Sequence, residues 1–390
     1  MKLNQTDEVI LVINAGSSSI KFSLFLSSLT LIYRGEIESI FDVPQITVSN
    51  AKQVQIVKKS ILSSGYESAL SYLFEWIAQL PTHYILKAVG HRVVHGGNFF
   101  DHPVLINADS IEKLSSLNPL APLHQPHNVA IIKSILKLYP EMLQIACFDT
   151  SFHRTQDKLA TLFAIPRELS EEGIVRYGFH GISYEYIASV LPEEIKNKKV
   201  IVAHLGNGAS MCAMEYGKSV TTSMGFTALD GLIMGTRCGG IDPGVILYLL
   251  QEKKLSVEEV NTILYKKSGL LGVSGISSDM RELQSSTETK AAEAIDLFCY
   301  RAARELCALA SSLQGCDAII FTAGIGEHSA LVRKKIGERL SWLGVLLDEH
   351  ANQQNAAVIS HTQSRVFVGV IPTNEEYMIA KHTLKVVSLD

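Results

Sequence analysis

The segment Val9-Ile-Leu-Val-Ile-Asn-Ala-Gly-Ser-Ser-Ser-Ile-Lys-Phe22 passes from an apolar run through small polar residues into an alternating pattern. Its β-branched first part predicts a buried strand, and the alternation from Ile20 to Phe25 predicts a second strand. Between them, Asn14 to Ser19 predicts a tight turn. Backbone N–H groups in glycine- and serine-rich turns converge on a concavity that binds anions. The segment therefore predicts two strands joined by an anion-binding turn.

The second half of the chain repeats this order. Lys199 to Ala203 predicts a strand, His204 to Ser210 a glycine-containing polar turn, and Met211 to Tyr216 the next strand. Both halves continue with a third strand, at Leu31 to Ile37 and at Ser219 to Ser223. A shared strand, turn, strand opening indicates an internal duplication of one architecture.

Other periodic segments extend this outline. Tyr66 to Leu80 and Ala291 to Leu313 have the apolar spacing of helices. Tyr84 to Val89 and Asp317 to Thr322 predict further strands, and Phe41 to Lys58 predicts an additional hairpin. The mixture of strands and helices in both halves predicts an α/β fold.

Three small-residue turns are candidates for phosphate binding, because Ala323 to Glu327 also follows a predicted strand. None of them matches a common nucleotide motif. Gly217-Lys-Ser219 imitates the end of a P-loop, but Cys212 stands where the first glycine belongs. The pairs Gly206/Gly208 and Gly324/Gly326 lack the third glycine of the dinucleotide fingerprint. A nucleotide would therefore bind through neither a Walker A loop nor a Rossmann turn.

Composition narrows the class of protein. A chain of 390 residues suggests two or three domains, and its net charge of −4 gives no general attraction to nucleic acid or an anionic membrane. The apolar run from Val9 to Ile13 is too short for a signal peptide or a membrane span. The six cysteines are scattered without a C-x-x-C pair, which fits a reducing compartment. We expect a cytoplasmic protein with no nucleic-acid or membrane partner.

Several charged and polar residues are candidates for chemistry. Arg92 and Arg237 lie in glycine-containing segments, and the planar fork of arginine matches carboxylate and phosphate oxygens. A surface ion pair is the alternative for each. Asp149 follows an apolar strand, where catalytic groups are frequent, although an Asx-turn or helix cap explains it equally well. Asn14 and Glu375 offer the oxygen ligands that Mg²⁺ prefers.

The thirteen histidines raise the alternative of a transition-metal site. The pairs His91/His95 and His124/His127 have spacings that suit such ligands. The sequence contains no H-E-x-x-H, and these pairs lie in predicted loops rather than on one helix face. A transition-metal site is therefore disfavoured.

Eight segments with motif character follow one another along nearly the whole chain. They are Asn14-Ala-Gly-Ser-Ser-Ser-Ile-Lys-Phe22, Gly90-His-Arg-Val-Val-His-Gly-Gly97, Cys147-Phe-Asp-Thr-Ser-Phe-His153, Arg176-Tyr-Gly-Phe-His-Gly181, His204-Leu-Gly-Asn-Gly208, Gly235-Thr-Arg-Cys-Gly-Gly-Ile-Asp-Pro-Gly244, Ser278-Asp-Met-Arg-Glu282 and Thr373-Asn-Glu-Glu376. Together these segments closely resemble the acetate kinase family. One such match would be weak evidence, whereas eight in the family's order are highly specific.

The resemblance implies the actin-like ATPase fold, with two duplicated ribonuclease H-like domains around a central cleft. The first domain would comprise residues 1–154 with the returning segment 374–390, and the second, nucleotide-binding domain residues 155–373. It implies a homodimer that carries out reversible, Mg²⁺-dependent phosphoryl transfer between ATP and acetate. The products would be acetyl phosphate and ADP, formed by direct in-line transfer, with Mn²⁺ as an alternative metal.

The resemblance also implies roles for individual residues. Asp149, His180 and Arg237 resemble the catalytic residues, Arg92 the carboxylate anchor, and Asn14 and Glu375 the magnesium site. The family's apolar wall around the acetate methyl corresponds here to Val94, Leu123 and Phe179. The resemblance assigns the ATP contacts to Lys21, His204, Leu205, Gly206, Asn207, Gly208, Asp279, Met280, Arg281, Gly324, Ile325, Gly326, Glu327 and His328.

Three departures from the family pattern leave alternatives open. Ala228 stands where the family usually has proline at the methyl pocket, so propionate kinase is the close alternative. Ala323 and His328 alter the family's Gly-Gly-Ile-Gly-Glu-Asn, so the purine preference stays open. The hairpin from Phe41 to Lys58 matches no assigned family feature. A non-enzymatic ATP switch on the same fold would leave both candidate arginines without a ligand.

Acetate needs no general base, because carboxylates with a pKa of about 4 are already ionised at neutral pH. We therefore predict that Asp149 orients magnesium, directly or through water, or positions groups around the transferred phosphoryl. His180 and Arg237 would stabilise the charge of the transition state.

Overall fold

The computed structural model describes residues 7–80 and 84–388 and divides into two compact units. The first unit comprises Met1–Phe152 with Asn374–Asp390, and the second comprises His153–Thr373. The outermost residues of the predicted first domain, 1–6 and 389–390, lie outside the described part of the chain.

An eight-stranded sheet forms the centre of the first unit, in the order β5-β4-β3-β2-β1-β6-β8-β7. The first two strands pair antiparallel, whereas β1 and β6, and β6 and β8, pair parallel. The strands are β1 (Asp7–Ala15), β2 (Ile20–Leu26), β3 (Leu31–Glu38), β4 (Gln45–Asn50), β5 (Gln55–Ser60), β6 (Tyr84–Val93), β7 (Val104–Leu105) and β8 (Leu143–Phe148).

The apolar run of β1 is buried because this strand lies in the middle of the sheet. Residues Val9 to Ile13 are at most 1 % exposed. A strand covered on both faces needs a continuous apolar run, which explains why the segment does not alternate. The predicted hairpin is present as β4 and β5 at the sheet edge, where Lys58 and Lys59 are exposed. Charged residues on an edge strand discourage pairing with another chain.

Helices cover this sheet. The predicted helix is present as α1, whose Leu70, Leu73 and Ile77 are buried at helical spacing. The helices of this unit before its returning segment are α1 (Tyr66–Ala78), α2 (Ala108–Ser116) and α3 (Gln125–Leu138), with a 3₁₀ turn at Asn118–Leu120.

A five-stranded sheet forms the centre of the second unit, in the order β11-β10-β9-β12-β13. Its strands are β9 (Lys199–Leu205), β10 (Ala209–Glu215), β11 (Lys218–Thr222), β12 (Ala318–Thr322) and β13 (Phe367–Val370). The long helix α11 buries residues at three- and four-residue intervals, including Phe298, Leu306 and Leu313.

The helices of this unit are α4 (Lys158–Thr161), α5 (Arg167–Glu171), α6 (Gly181–Val190), α7 (Pro243–Gln251), α8 (Val257–Lys266), α9 (Gly269–Ser274), α10 (Met280–Ser285), α11 (Thr289–Leu313), α12 (Ala323–His328), α13 (Ala330–Arg339) and α14 (Glu349–Gln353). Two further 3₁₀ turns span Ser151–Thr155 and Ser341–Leu343.

The predicted duplication is confirmed by the strand order. Three antiparallel strands followed by two parallel ones occur as β3-β2-β1-β6-β8 in the first unit and as β11-β10-β9-β12-β13 in the second. Both units are therefore ribonuclease H-like domains, the repeated element of the actin-like ATPase fold. The hairpin β4–β5 and the short β7 are additions to the first.

The last helix, α15 (Glu375–Val387), packs on β6 of the first unit. The approach is close enough to require glycine at position 90. A Cβ atom there would overlap the side chain of Thr383 and lie 2.8 Å from Ile379. The chain thus returns to its first unit after completing the second.

The third predicted turn is wrong, because Ala323 to Glu327 belongs to the short helix α12. It is Ala323, with φ of 62°, and not a glycine that takes the left-handed conformation after β12. The other two turns are shorter than predicted, since Asn14 lies in β1 and His204 in β9. Across the described residues, every helix is too short or too polar to span a bilayer.

Candidate active site

Arg92 and Asp149 form a two-bond ion pair in the first unit. Arg92 lies near the end of β6, and Asp149 directly follows the neighbouring parallel strand β8. The guanidinium Nε donates to Oδ1 at 3.0 Å, and Nη2 donates to Oδ2 at 2.6 Å. Paired bonds of this kind are strong and fix the orientation of both groups. The Asp149 side chain is only 2 % exposed, so the pair holds the guanidinium in one position.

Glu375 brings a second carboxylate to the same arginine. It is the first residue of α15, and its Oε2 lies 3.7 Å from Nε of Arg92. Burial raises the pKa of Glu375 to about 7, with Arg92 opposing the shift and Asp149 and Glu376 adding to it. Several carboxylates thus share one guanidinium, which leaves an excess of negative charge that a cation would offset.

Asn14 and Lys21 lie opposite each other on β1 and β2. Asn14 is half-buried near the end of its strand. Lys21, predicted to contact ATP, is largely exposed, with its Nζ 4.0 Å from Oε1 of Glu36. The amide oxygen of Asn14 and the carboxylate of Glu375 are donors of the type that Mg²⁺ prefers.

The three residues predicted to line the methyl pocket are divided between the units. Val94 is buried just after β6, and Leu123 is half-buried before α3. Phe179 belongs to the second unit, where it is fully buried and its carbonyl oxygen accepts a hydrogen bond from Nε2 of His153 at 3.0 Å.

Two buried amides that the sequence analysis missed fix the segment after β6. Asn128 accepts the N–H of Val94 at 3.2 Å and donates to the carbonyl oxygen of Ala15 at 3.2 Å. The side chain of Gln125 accepts a hydrogen bond from the N–H of His95 at 3.1 Å and donates one to the carbonyl oxygen of His95 at 3.0 Å. Gln125 and Asn128 lie three positions apart and so share one face of α3 with the apolar Val129 and Ile132, which is the sequence signal that could have revealed them.

In the second unit, His180 and Arg237 meet at Gly208. A Cβ atom on Gly208 would lie 2.7 Å from Nη2 of Arg237 and 3.4 Å from Nε2 of His180. His180 has a left-handed backbone with φ of 57°, and its ring stacks on His204 at 4.3 Å between centroids. Nδ1 of His180 lies 2.8 Å from Oγ of Ser210. Non-glycine residues in this conformation are concentrated at functional sites.

The loop that carries Arg237 is fixed by its own backbone. Nη1 of Arg237 donates to the carbonyl oxygen of Ala228 at 2.6 Å. The N–H of Met234 donates to the carbonyl oxygen of Arg237 at 3.2 Å, and the N–H of Gly235 to that of Asn207 at 3.0 Å. Ala228, which departs from the family pattern, therefore holds the candidate catalytic Arg237 through its main-chain carbonyl.

His204 is held by a chain of hydroxyl groups. Its Nδ1 lies 2.9 Å from Oγ of Ser183, which lies 2.7 Å from Oγ1 of Thr373. The N–H of Thr373 donates to Oε1 of Glu327 at 3.1 Å. Two residues predicted to contact ATP, His204 and Glu327, thus belong to one polar network.

A cavity of about 810 Å³ lies in the second unit. Eight of the predicted ATP residues line it, together with four that were not predicted, so most of the predicted set is adjacent in space. Its lining is Gly206, Asn207, Ser278, Asp279, Met280, Arg281, Gln284, Ser285, Gly324, Ile325, His328 and Ser329. His204, Leu205, Gly208, Gly326 and Glu327 do not line it.

Asp279 and Arg281 form one wall of this cavity. Asp279 caps α10 by accepting the N–H of Arg281 at 2.8 Å, and Nη2 of Arg281 donates to its Oδ2 at 2.6 Å. Hydrogen bonds from Arg281 lower the pKa of Asp279 to about 2. Arg281 is mostly exposed, so its guanidinium can reach a bound ligand.

The histidines predicted as alternative metal ligands have other partners. Nε2 of His91 lies 2.9 Å from Oε1 of Gln144, and burial lowers the pKa of His91 to about 4. Nδ1 of His127 lies 3.0 Å from the hydroxyl of Tyr66. Within residues 7–80 and 84–388, no group of three or more His, Cys, Asp or Glu side chains is placed to hold a metal ion.

The chain is similar to several known kinases over almost its full length. It is 50 % identical over 388 residues to the acetate kinase of Rhodopseudomonas palustris (strain TIE-1), covering 96 % of this chain and 97 % of that protein. It is 44 % identical over 385 residues to the acetate kinase of Rickettsia akari, covering 97 % of this chain and 99 % of that protein.

Solved structures agree with these relatives. A propionate kinase from Francisella tularensis superposes with a TM-score of 0.90 at 38 % identity, covering 97 % of this chain and 99 % of that one. Acetate kinase from Porphyromonas gingivalis superposes with a TM-score of 0.88 at 34 % identity, covering 98 % and 99 %. The model of the acetokinase family matches residues 9–381. The chain therefore belongs to the acetokinase family.

Proposed function

We propose that this phosphotransferase, whose acceptor is a carboxyl group, catalyses reversible transfer of the γ-phosphoryl group of ATP to acetate. The supporting observation is the turn Gly206–Gly208. Gly206 and Asn207 line the 810 Å³ cavity, while Gly208 lies against Arg237 and His180. A nucleotide in this cavity would have cationic and hydrogen-bonding groups beside one end, where a phosphate chain needs them.

The main difficulty of this reaction is electrostatic, because an anionic carboxylate must approach an anionic phosphate. Phosphoryl transfer depends on positioning and charge neutralisation more than on covalent help. Arg237 supplies a permanent positive charge, held in place by the carbonyl of Ala228. We infer direct in-line transfer to acetate, since the acceptor oxygen already carries its charge and needs no covalent intermediate.

His180 is oriented to donate a hydrogen bond. The hydroxyls of Tyr184 and Ser210 lie 2.5 Å apart, and Oγ of Ser210 lies 2.8 Å from Nδ1 of His180. If Tyr184 donates to Ser210 and Ser210 donates to Nδ1, the proton of the neutral ring is on Nε2. Nε2 is the atom near Gly208, so it would donate to a phosphoryl oxygen there.

Arg92 would anchor the substrate carboxylate. A guanidinium has five N–H donors, and Asp149 accepts two hydrogen bonds from this one. The geometry supports a positioning role for Asp149, which holds the arginine and has no proton to remove from acetate. Val94, Leu123 and Phe179 would surround the methyl group.

Asn14 and Glu375 are the residues that would hold Mg²⁺, with Mn²⁺ as an alternative. The crowding of carboxylates around Glu375, which contributes to its raised pKa, fits a site that gains from a divalent cation. The bound ion would neutralise phosphate charge. Lys21 and the residues of the cavity would contact ATP.

The substrate assignment is tested by comparing kcat/KM for acetate, propionate and butyrate. We expect acetate to give the highest value, because the relatives at 50 % identity are acetate kinases. One extra methylene changes selectivity by about 10- to 200-fold. A propionate value above that for acetate would favour propionate kinase, the second candidate, which the small side chain of Ala228 and the Francisella structure support. ATP consumption at background with every carboxylate would contradict both.

We also propose a homodimer in the cytoplasm. None of the six cysteines, all of which lie in the described part of the chain, is assigned to a disulfide, which fits a reducing compartment. Helix α7 has no buried residue, although its sequence is almost entirely apolar. Leu247 and Tyr248 are each 53 % exposed. An exposed apolar patch of this kind marks an interaction surface, and a second copy would bury it.

Placing a charge on this helix should separate the subunits. We expect sedimentation equilibrium to give twice the 42.8 kDa chain mass for the wild type and a single chain mass for Leu247→Lys. Leu159→Lys is the matched control, since Leu159 is exposed elsewhere in the same unit. A Leu247→Lys protein that stays dimeric would exclude α7 from the interface.

A further inference from the structure

Arg333 is a buried cation with no assigned role in the proposed phosphoryl transfer. It lies on α13, is 0 % exposed, and makes five hydrogen bonds. Nε donates to Oδ1 of Asn352 at 2.7 Å, and Nη2 donates to the Asn352 carbonyl at 2.7 Å and to Oδ1 of Asn355 at 2.6 Å. Nη1 donates to the carbonyl oxygens of Gly326 at 2.8 Å and Glu327 at 2.9 Å.

These five bonds occupy all five N–H donors of the guanidinium. Every acceptor is a neutral amide or carbonyl oxygen, so the hydrogen bonds bring no compensating negative charge. Burial lowers the pKa of Arg333 to about 10, which leaves it protonated at neutral pH. A buried cation that donates only to neutral groups keeps its full formal charge, which attracts an anion bound nearby.

The contacts of Arg333 lead to the nucleotide cavity. Gly326 and Glu327 belong to the last turn of α12, where a cation favourably binds the terminal carbonyl groups. Gly324 and Ile325 of the same helix line the cavity. Helix α12 begins at the left-handed Ala323 and contains two glycines, so its own sequence favours the helix weakly.

We propose that Arg333 is a positioning residue for the nucleotide. It holds α12 in the conformation that lines the cavity, and its positive charge favours a ligand with phosphate groups. The inference rests on the proposed function in one respect, since it takes this cavity as the site of ATP and ADP.

An Asn355→Asp variant tests the charge with little change of shape. Aspartate keeps an oxygen for Nη2 of Arg333 and adds the missing negative charge. We expect the Kd of ADP, measured by calorimetry without any carboxylate, to rise by about threefold to tenfold. The Tm should stay equal to or above that of the wild type. Gln353→Glu is the matched control, because Gln353 is an exposed neighbour on α14, and its ADP affinity should be unchanged.

Removing the cation altogether should have a larger effect. We expect Arg333→Met to raise the Kd of ADP and the KM of ATP by on the order of tenfold or more, while the KM of acetate changes by less than about twofold. Val332→Ala, at a buried neighbour on α13, controls for loss of stability. If Arg333→Met does not fold, the Kd of ADP for Asn355→Asp decides whether Arg333 positions the nucleotide.

The inference is overturned if Asn355→Asp and Gln353→Glu bind ADP with the same affinity. It is also overturned if the wild type binds no ADP. The Kd of ADP is measured without any carboxylate, so it does not depend on the kinase assay. Failure of that assay with every carboxylate would contradict the proposed function, but the ADP-binding comparison would still test the role of Arg333.

Discussion

The Asp149→Asn enzyme is expected to retain about 1 % or less of the wild-type kcat, the scale of loss for a group that orients transition-state charge. The amide has nearly the shape of the carboxylate but only one acceptor oxygen. Nε and Nη2 of Arg92 now donate to two oxygens of Asp149. With one bond lost, the guanidinium is free to turn towards Glu375, whose Oε2 lies only 3.7 Å away.

Steady-state kinetics with acetate and ATP measure this effect, and Asp109→Asn is the matched control. Asp109 forms an exposed ion pair with Lys113 at 2.7 Å, and such pairs contribute little to stability. The ratio of wild-type to Asp149→Asn kcat should stay constant between about pH 8 and pH 9, because acetate is ionised there and Glu375, whose pKa is about 7, is deprotonated. Activity of Asp149→Asn within threefold of the control would contradict the positioning role. Recovery at high Mg²⁺ would show that Asp149 acts through the metal.

A Gly208→Ala substitution is expected to lower kcat by about 10²-fold, comparable to the loss of one donor at an oxyanion site. The added methyl would lie 2.7 Å from Nη2 of Arg237, which is well inside van der Waals contact. The loop cannot easily yield, because Nη1 of Arg237 is bonded to Ala228. ADP affinity should change by less than about threefold, since Gly208 does not line the cavity.

Gly240→Ala is the matched control for this change. Gly240 belongs to the same loop as Arg237, and a Cβ atom there would lie 3.6 Å from the nearest atom, an ordinary contact. The control should keep the wild-type kcat. Equal activities of the two variants, with equal Tm, would show that the position of Arg237 does not limit the reaction.

Much of the fold could be predicted because it depends on local pattern. The β-branched run of β1 and the alternation of β2 specify strands wherever they pack. The repeated opening around His204 specifies the duplication. The helix α12 could not be predicted, because two glycines in six residues disfavour it. Its last carbonyl groups are bound by Arg333, and a residue six or seven positions further along gives no local signal of that contact.

The site was less predictable than the fold because its contacts join distant segments. Arg92 and Asp149 are 57 positions apart, and no spacing rule links them. Gln284 and Ser329 were missed for the same reason. They become neighbours, with Nε2 donating to Oγ at 3.0 Å, only because α10 packs beside the start of α13. The residue types indicated which chemistry the site could carry out. Which residues belong to the site depends on tertiary packing, which the sequence pattern does not specify.

The return of α15 to the first unit has a consequence for protein synthesis. Strands β1, β6 and β8 leave the ribosome early, but residues 153–373 must be translated before the helix that covers β6 emerges. At about 5–20 residues per second, this interval lasts roughly 10 to 45 seconds. During that time the surface around Gly90 lacks its helix, and Arg92 lacks Glu375. The first domain to be synthesised is thus the last to be completed, and until α15 emerges it exposes the surface of β6 that this helix covers.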